Sequence, residues 1–312
     1  MSIFVIGSFM HANFMEMERL PAAGESVVAT SMRAELGGKG LNLAVGMHRL
    51  GARVSLFLAA GHDAAGNAML DRLKVEGVCA SHVLRLGEYS GYGVGFIGHN
   101  GANVIAVFPG ANALLSAAHV EQESAAIASA SWICSQYEVP EDATLQAFKI
   151  AKQHGVKTYL NPSPWRKSEG EWLGLTDVLV VNESEAAAMF DLVGTEQMTP
   201  QLWCSRLSSL ARTLGWKGYL LVVTLAEFGC VALEQSGNII FQPAWPIRQI
   251  DATGAGDAFG CGLLWSLING LSVPEALINA NACGALLAAS AGCLDALPTC
   301  QQLLAFKEKT QF

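Results

Sequence analysis

Asp251-Ala252-Thr253-Gly254-Ala255-Gly256-Asp257 runs directly into the apolar segment Ala258-Phe259-Gly260-Cys261-Gly262. Small residues at 254 to 256 let the backbone approach a ligand closely and turn successive N–H groups into one concavity. A helix that starts there adds its positive N-terminal end, so an anion is the expected occupant. Asp257 stands where affinity for an anion argues against a carboxylate, unless that carboxylate is there to take a proton. A hydroxyl that accepts a phosphoryl group needs such a base beside a nest that stabilises the migrating charge. The plainer alternative is an ordinary helix start, with Asp257 complementing the dipole. Gly254-x-Gly256-x-x-x-Gly260 comes near the dinucleotide fingerprint, but its third glycine falls one position late. The motif also lies far from a first β-α turn. No GxxxxGK[ST] run exists, which sets P-loop chemistry aside.

Outward from this motif, short apolar runs alternate with helical patterns. Ile3 to Ile6, Val54 to Leu58, Trp132 to Cys134, Val156 to Leu160, Val178 to Val181 and Tyr219 to Thr224 read as buried strands. Helices are expected at Asn42 to Leu50, Ala65 to Glu76, Thr144 to His154, Ser184 to Phe190 and Leu202 to Thr213. The alternation predicts an α/β fold with a doubly wound, mostly parallel sheet covered on both faces. Val231 to Leu233 and Ile239 to Phe241 read as a hairpin turning at Ser236-Gly237-Asn238. Helices then follow at Gly256 to Asn269, Pro274 to Ala291 and Thr299 to Lys309. Residues 13–36 and 90–108 break the pattern with period-two character, the second turning at Gly98 to Gly101. They are expected to form a small β-sheet lid, a flap over a cleft or a plain edge extension, within one domain spanning 1–312.

Composition narrows the classes. Of 312 residues, 51% are hydrophobic and 15% charged, which excludes a disordered chain. The net charge is −8 and no Lys/Arg-rich run exists, so nucleic acid and anionic membrane are poor partners. A polyphosphate would have to be held by backbone amides and a metal. Mean hydropathy of +0.33 calls for a membrane check. The longest uncharged stretch, Ala276 to Leu294, is interrupted by Asn279, Asn281, Gly284, Ser290 and Gly292 and reads as a buried helix with its exit. The first residues read as a strand with no basic region before it, so no signal peptide is expected. Eight scattered cysteines without CxxC read as reduced core thiols of a cytoplasmic protein. No histidine pair has zinc-motif spacing.

Three further motifs carry chemistry. Gly37-Gly38-Lys39-Gly40-Leu41-Asn42 enters a helix, and Asn42 offers donor and acceptor to sugar hydroxyls, or is simply part of a Gly-rich turn. Asn182-Glu183-Ser184-Glu185 follows a strand at the edge where ligands collect in open α/β sheets. The pair Asn182 and Glu185 can reach magnesium through waters, can form an N-capping box, or can do both. Gln136-Tyr137-Glu138 ends another strand, where Glu138 can accept a ligand hydroxyl or be an exposed acid.

These segments resemble the ribokinase family of ATP-dependent carbohydrate and nucleoside kinases, the PfkB group. GGKGLN is similar to that family's first signature and DATGAGD to its second. Gly7-Ser8, Pro109-Gly110-Ala111-Asn112, Gln136-Tyr137-Glu138, Leu160-Asn161-Pro162, Asn182-Glu183-Ser184-Glu185 and Thr224 match in the family's order over most of the chain. The resemblance implies a doubly wound domain with a β lid that often forms a homodimer contact. It implies Asp257 as catalytic base and the amides of Gly254, Ala255 and Gly256 as the anion hole. Gly38, Asn42 and Glu138 would contact the sugar. Asn182 and Glu185 would act near Mg²⁺ and phosphate, and Thr224 near ATP. Asp251 and Thr253 match positions that help hold a monovalent cation such as K⁺.

Departures from the family bear on the acceptor. The Asn and Asp that grip sugar hydroxyls in ribokinases are replaced by Met10 and Ala12, with His11 or Asn13 expected to compensate. Ala226 replaces a usual Gly, Ala252 a frequent Thr, and the stretch after Gly292 lacks a later Ser. The expectation is an ATP- and Mg²⁺-dependent kinase of a sugar or sugar-like alcohol. The alternatives are a nucleoside kinase on the same scaffold and a catalytically silent sugar-binding regulator.

Overall fold

The computed structural model describes residues 2–99, 102–167, 170–192 and 198–309. Its strands are β1 (Ser2–Ile6), β2 (Met10–Met17), β3 (Ser31–Gly37), β4 (Arg53–Ala60), β5 (Val83–Arg85), β6 (Gly91–Gly98), β7 (Asn103–Phe108), β8 (Trp132–Gln136), β9 (Lys157–Asn161), β10 (Val178–Asn182), β11 (Leu220–Thr224), β12 (Cys230–Glu234) and β13 (Ile239–Gln242). The helices are α1 (Lys39–Arg49), α2 (Ala64–Glu76), α3 (Ala117–Glu121), α4 (Ser124–Ser129), α5 (Glu141–Gln153), α6 (Glu171–Leu175), α7 (Glu183–Met189), α8 (Pro200–Leu214), α9 (Ala255–Ile268), α10 (Val273–Ala288) and α11 (Cys300–Lys309).

Nine of these strands form one sheet in the order β13-β12-β11-β10-β9-β8-β1-β4-β5. All its pairings are parallel except β11 with β12 and β12 with β13. That is the expected doubly wound sheet, ending in the expected hairpin. Strand interiors are continuous apolar runs because both faces are covered. On β1, Ile3 and Val5 join the apolar core that also contains residues of α1, α9 and α10. Phe4 and Ile6 point the other way, into the core that contains residues of α5 and α8. Helix α9 is apolar on nearly all sides because it is sandwiched between α1 and α10 rather than facing water. Among the described residues no helix is long and apolar enough to cross a membrane.

From β1 the chain steps to β4 and β5 on one side, and from β8 onward it builds the other side. The order therefore reverses between β1 and β8, and the crevice beyond their carboxyl ends is where open α/β sheets take ligands.

The other four strands form a separate small sheet, β3-β2-β6-β7, with β2 parallel to β6 and the outer pairs antiparallel. It corresponds to the expected lid, with two differences. The first strand starts at Met10, before residue 13, and residues 18–30 of the expected lid segment form no strand. The expected turn at Gly98 to Gly101 lies between the paired β6 and β7, with residues 100 and 101 outside the described ones. Asn112, in the Pro109 to Asn112 motif, is fully buried and fastens the start of this sheet. Its amide donates to the Phe9 carbonyl at 2.7 Å and accepts from the Phe9 N–H at 2.9 Å.

Candidate active site

The two Gly-rich motifs meet at the crevice. Glycine is required where the loops cross: a Cβ on Gly40 would lie 2.4 Å from the Ser8 nitrogen and 2.6 Å from Gly7 Cα. Gly38 precedes α1 at φ 99°, a conformation that favours glycine. The Glu138 carboxylate, at the end of β8, holds this crossing together. Its Oε2 accepts the Lys39 N–H at 2.8 Å and the Ser8 hydroxyl. Glu138 is thus beside the Gly38 loop, and part of its bonding capacity is already spent there.

Helix α9 begins directly opposite. Gly254 caps it at φ 82°, and the Asp257 carboxylate, in its first turn, is 8% exposed. The amides of Gly256 and Asp257 have no carbonyl four residues back within the helix to accept from them. The Ala255 amide differs, since it donates to the Ala252 carbonyl at 3.1 Å. Asn42, from α1, donates its Nδ2 to Asp257 Oδ2 at 2.8 Å, and its buried Oδ1 has no donor among the described residues. A ligand hydroxyl would complete the Asn42 amide.

Lys39 was not singled out by sequence reasoning, yet its ammonium lies 3.8 Å from Asp257 Oδ1. Burial favours the neutral amine, but the carboxylates of Asp257, Glu138 and Glu185, with Cys293, outweigh it and hold Lys39 above its ordinary range. The available signal was a lone lysine among four glycine and asparagine neighbours in a chain poor in basic residues.

A cleft of about 1000 Å³ extends from Lys39 and Asp257 toward the β10–β11 edge. Asn182 and Thr224 are register partners on those strands and both line it. Trp245, Pro246 and Ile247 give it an apolar wall. Asn182 and Glu185 do form the capping box of α7: Asn182 Oδ1 accepts the Glu185 N–H at 2.8 Å, and Glu185 Oε2 accepts the Asn182 N–H at 2.9 Å. Among the described residues no three His, Cys, Asp or Glu side chains gather as a metal site. The second oxygen of Glu185 fits magnesium held chiefly by phosphates and water, which is how that ion usually binds.

The structure does not bring His11 and Asn13 to this cluster. On β2 they alternate with Met10 and Ala12; the neighbours of His11 are Leu36 and Tyr92, those of Asn13 are Ala34 and Val94, and the His11 and Tyr92 rings lie 5.5 Å apart. Met10, Ala12 and Phe14 share the other face with Glu35 and Arg33. From that face Arg33 reaches Asp251 Oδ2 at 3.2 Å, and Glu35 accepts the Cys293 N–H at 3.3 Å. The same Cys293 thiol accepts from Asn42 Nδ2 at 3.2 Å. The period of two, rather than distance along the chain, turns His11 and Asn13 away. Asp251 also accepts the Thr253 N–H at 2.9 Å. Burial raises the Asp251 carboxyl, but Thr253 and Arg33 together hold it below the usual carboxylate range.

Residues 1–300 match the family described as pfkB family carbohydrate kinase. The chain belongs to that family. A ribokinase of Haemophilus influenzae is 30% identical over 308 residues, covering 98% of each chain. A bifunctional ribokinase/ribose-5-phosphate isomerase A of Fructilactobacillus sanfranciscensis is 29% identical over 306 residues. This chain spans 55% of that relative's length and 97% of its own. Among solved structures, a ribokinase of Arabidopsis thaliana described as complexed with ribose and ATP superposes with a TM-score of 0.88 at 26% identity, over 99% and 98% of the two chains. The protein is therefore a ribokinase-family carbohydrate kinase, and the site described above is where its chemistry is to be sought.

Proposed function

We propose that this pfkB family kinase transfers the γ-phosphoryl group of ATP, with Mg²⁺, to a primary hydroxyl of a sugar or sugar-like alcohol. The observation that carries the reading is Asp257 in the first turn of α9, bonded to Asn42 and facing Lys39 at the end of the cleft. The nucleotide occupies the cleft between Thr224 and the apolar wall of Trp245 to Ile247. Its terminal phosphate reaches the free amides at the start of α9, where the helix end favours negative charge. Lys39 neutralises charge that builds on the migrating group. Asp257 Oδ1, the oxygen left free by Asn42, takes the acceptor proton. Magnesium would enter with the nucleotide and screen the charge on its phosphates, and Asn182 and Glu185 are the residues that would hold it, through waters. The small sheet closes over the acceptor and excludes water, which would otherwise compete for the phosphoryl group.

Met10 and Ala12 line the small-sheet face nearest the catalytic turn and offer no hydroxyl-binding groups there. That favours a second acceptor class, a nucleoside or a sugar less hydroxylated than ribose. A panel of pentoses, deoxypentoses, hexoses and nucleosides, followed by ADP release and phosphorus NMR of the product, tests both readings. Turnover of none of them by a protein that binds ATP would overturn the acceptor class.

The reading extends to a homodimer through the small sheet and to a reducing, cytoplasmic setting. Its edge strand β7 leaves Val104, Ile105, Val107 and Phe108 each more than half exposed, a large apolar patch for a lone chain. Sedimentation of the purified protein and of Val107→Lys tests the dimer: the wild type sediments as two chains and the variant as one.

A further inference from the structure

The carboxylate expected to help hold a monovalent cation already carries one that belongs to the chain. Asp251 Oδ2 receives Arg33 Nη1 at 3.2 Å, and Asp251 Oδ1 receives the Thr253 N–H at 2.9 Å. Potassium needs several oxygen ligands around one point, and the charge it would balance is here balanced by a guanidinium. The residues present do not fit the ion.

The guanidinium is held on its own side as well. Arg33 Nη1 lies 3.1 Å from Glu35 Oε1, and its planar group lies over the Phe14 ring at 4.7 Å. Both contacts arise from the small sheet, because Phe14 pairs with Arg33 and Ala12 with Glu35 on one face. Arginine suits such a place, since its planar fork is always charged and loses little freedom per bond. The Arg33–Asp251 pair is about two-thirds buried on the arginine side and four-fifths on the aspartate side, so salt screens it less than a surface pair.

What the pair holds is the turn that presents the anion site. Asp251 and Ile250 are tied to the Ala288 carbonyl at the end of α10, and the next residues form the Ala252–Ala255 turn that starts α9. Glu35 meanwhile bonds the Cys293 amide, on the segment that packs against Gly254. Two adjacent residues of one face of β3 thus clamp both backbone segments that flank the start of α9.

We propose that Arg33 is a positioning residue that replaces the monovalent cation, making the kinase independent of potassium and tying the anion-binding turn to the small sheet. This rests on the reading of the α9 start as the phosphoryl site. Arg33 touches no reacting atom; it sets the Asp251–Gly254 turn through Asp251.

The test uses the full chain, Arg33→Met, which keeps the apolar stem, and Arg33→Lys, which keeps the charge. Turnover is measured in tetramethylammonium and in potassium buffers of equal ionic strength. Thallous ion, a monovalent stand-in, is followed by thallium NMR without substrates. The wild type is expected to turn over equally in both buffers and to leave thallous ion unbound. Arg33→Met should lose about tenfold in kcat without potassium, the scale of one charge-assisted hydrogen bond. Potassium should restore it, and the variant should bind thallous ion and melt at a higher temperature with potassium. Stimulation of the wild type by potassium overturns the proposal, as does an Arg33→Met protein that keeps full kcat in tetramethylammonium. A loss that potassium leaves unrepaired counts against it unless Arg33→Lys retains activity. If Arg33→Met does not fold, the wild-type potassium response and thallium spectrum decide alone. Should the kinase reading itself fail, no acceptor is turned over, yet the thallium and melting measurements still separate the two cases.

Discussion

Asn42 Nδ2 and Asp257 Oδ2 lie 2.8 Å apart although 215 residues separate them, and this bond joins the first turns of α1 and α9. It occupies Oδ2 and leaves Oδ1, which faces the Lys39 ammonium at 3.8 Å, as the oxygen that would take a proton in the proposed reaction. The geometry also makes the two Gly-rich motifs one device, because neither helix start can shift without displacing the other's polar group.

Asp257→Asn keeps the side-chain shape and the amides of α9, so fold and ATP affinity should persist. Removing a general base costs about 10²–10⁴-fold in rate. Calorimetry for ATP and a coupled assay for kcat separate the two effects. Wild-type kcat in this variant would remove Asp257 from the role of base.

Asn42→Ala deletes the donor that orients Asp257. The expected loss is about tenfold to a hundredfold in kcat, as for one hydrogen bond to a charged group, with little change in KM for ATP. A rise in KM for ATP at constant kcat would show instead that Asn42 serves the nucleotide.

Gly40→Ala places a methyl group against the backbone of Gly7 and Ser8, where neither chain can yield without opening the loop crossing. Overpacking of this kind costs about 1–3 kcal/mol. Thermal unfolding should show a lower midpoint than wild type, while Gly174→Ala, with open space around its Cβ and no positive φ, should leave the midpoint close to wild type.

Glu76 accepts from Arg49 Nη2 at 2.6 Å and from Arg72 Nε at 2.8 Å. The Arg49 bond is the chief cause that holds its carboxyl below the ordinary glutamate range. A lowered folded pKa means the stabilisation is complete above the unfolded value and disappears as pH falls through the folded value. Melting temperatures of wild type and Glu76→Gln should therefore differ near neutrality and converge in acid. Parallel curves down to the lowest pH would exclude Glu76 as a source of the acid sensitivity.

Ala12 faces Glu35 across β2 and β3, so a second carboxylate at position 12 meets an existing one. Like charges directly opposite on a sheet repel. Wild-type protein should use D-ribose poorly. Ala12→Asp should raise kcat/KM for ribose less than Ala12→Asp combined with Glu35→Gln, because the amide removes the repulsion while keeping an acceptor oxygen for the Cys293 N–H. Efficient ribose turnover by the unmodified chain would show that Asn42 and Glu138 suffice without the ribokinase-like acid.

Much of this protein is determined locally. Short apolar runs rich in β-branched residues, such as Ile3 to Ile6 and Val178 to Val181, favour strands buried on both faces, and Asn182 to Glu185 can cap a helix without help from elsewhere. The glycines around residues 38 and 254 announce close backbone approach for the same reason, since conformational freedom belongs to the residue itself. Other features exist only through pairing. Whether Met10 and Ala12 or His11 and Asn13 face the catalytic turn depends on register, and one residue of shift exchanges them. Lys39 beside Asp257, and Arg33 on Asp251, join segments more than two hundred positions apart. No local period or cap encodes such a meeting. It is set by how the small sheet lies against the large one, where burial makes each charge seek a partner.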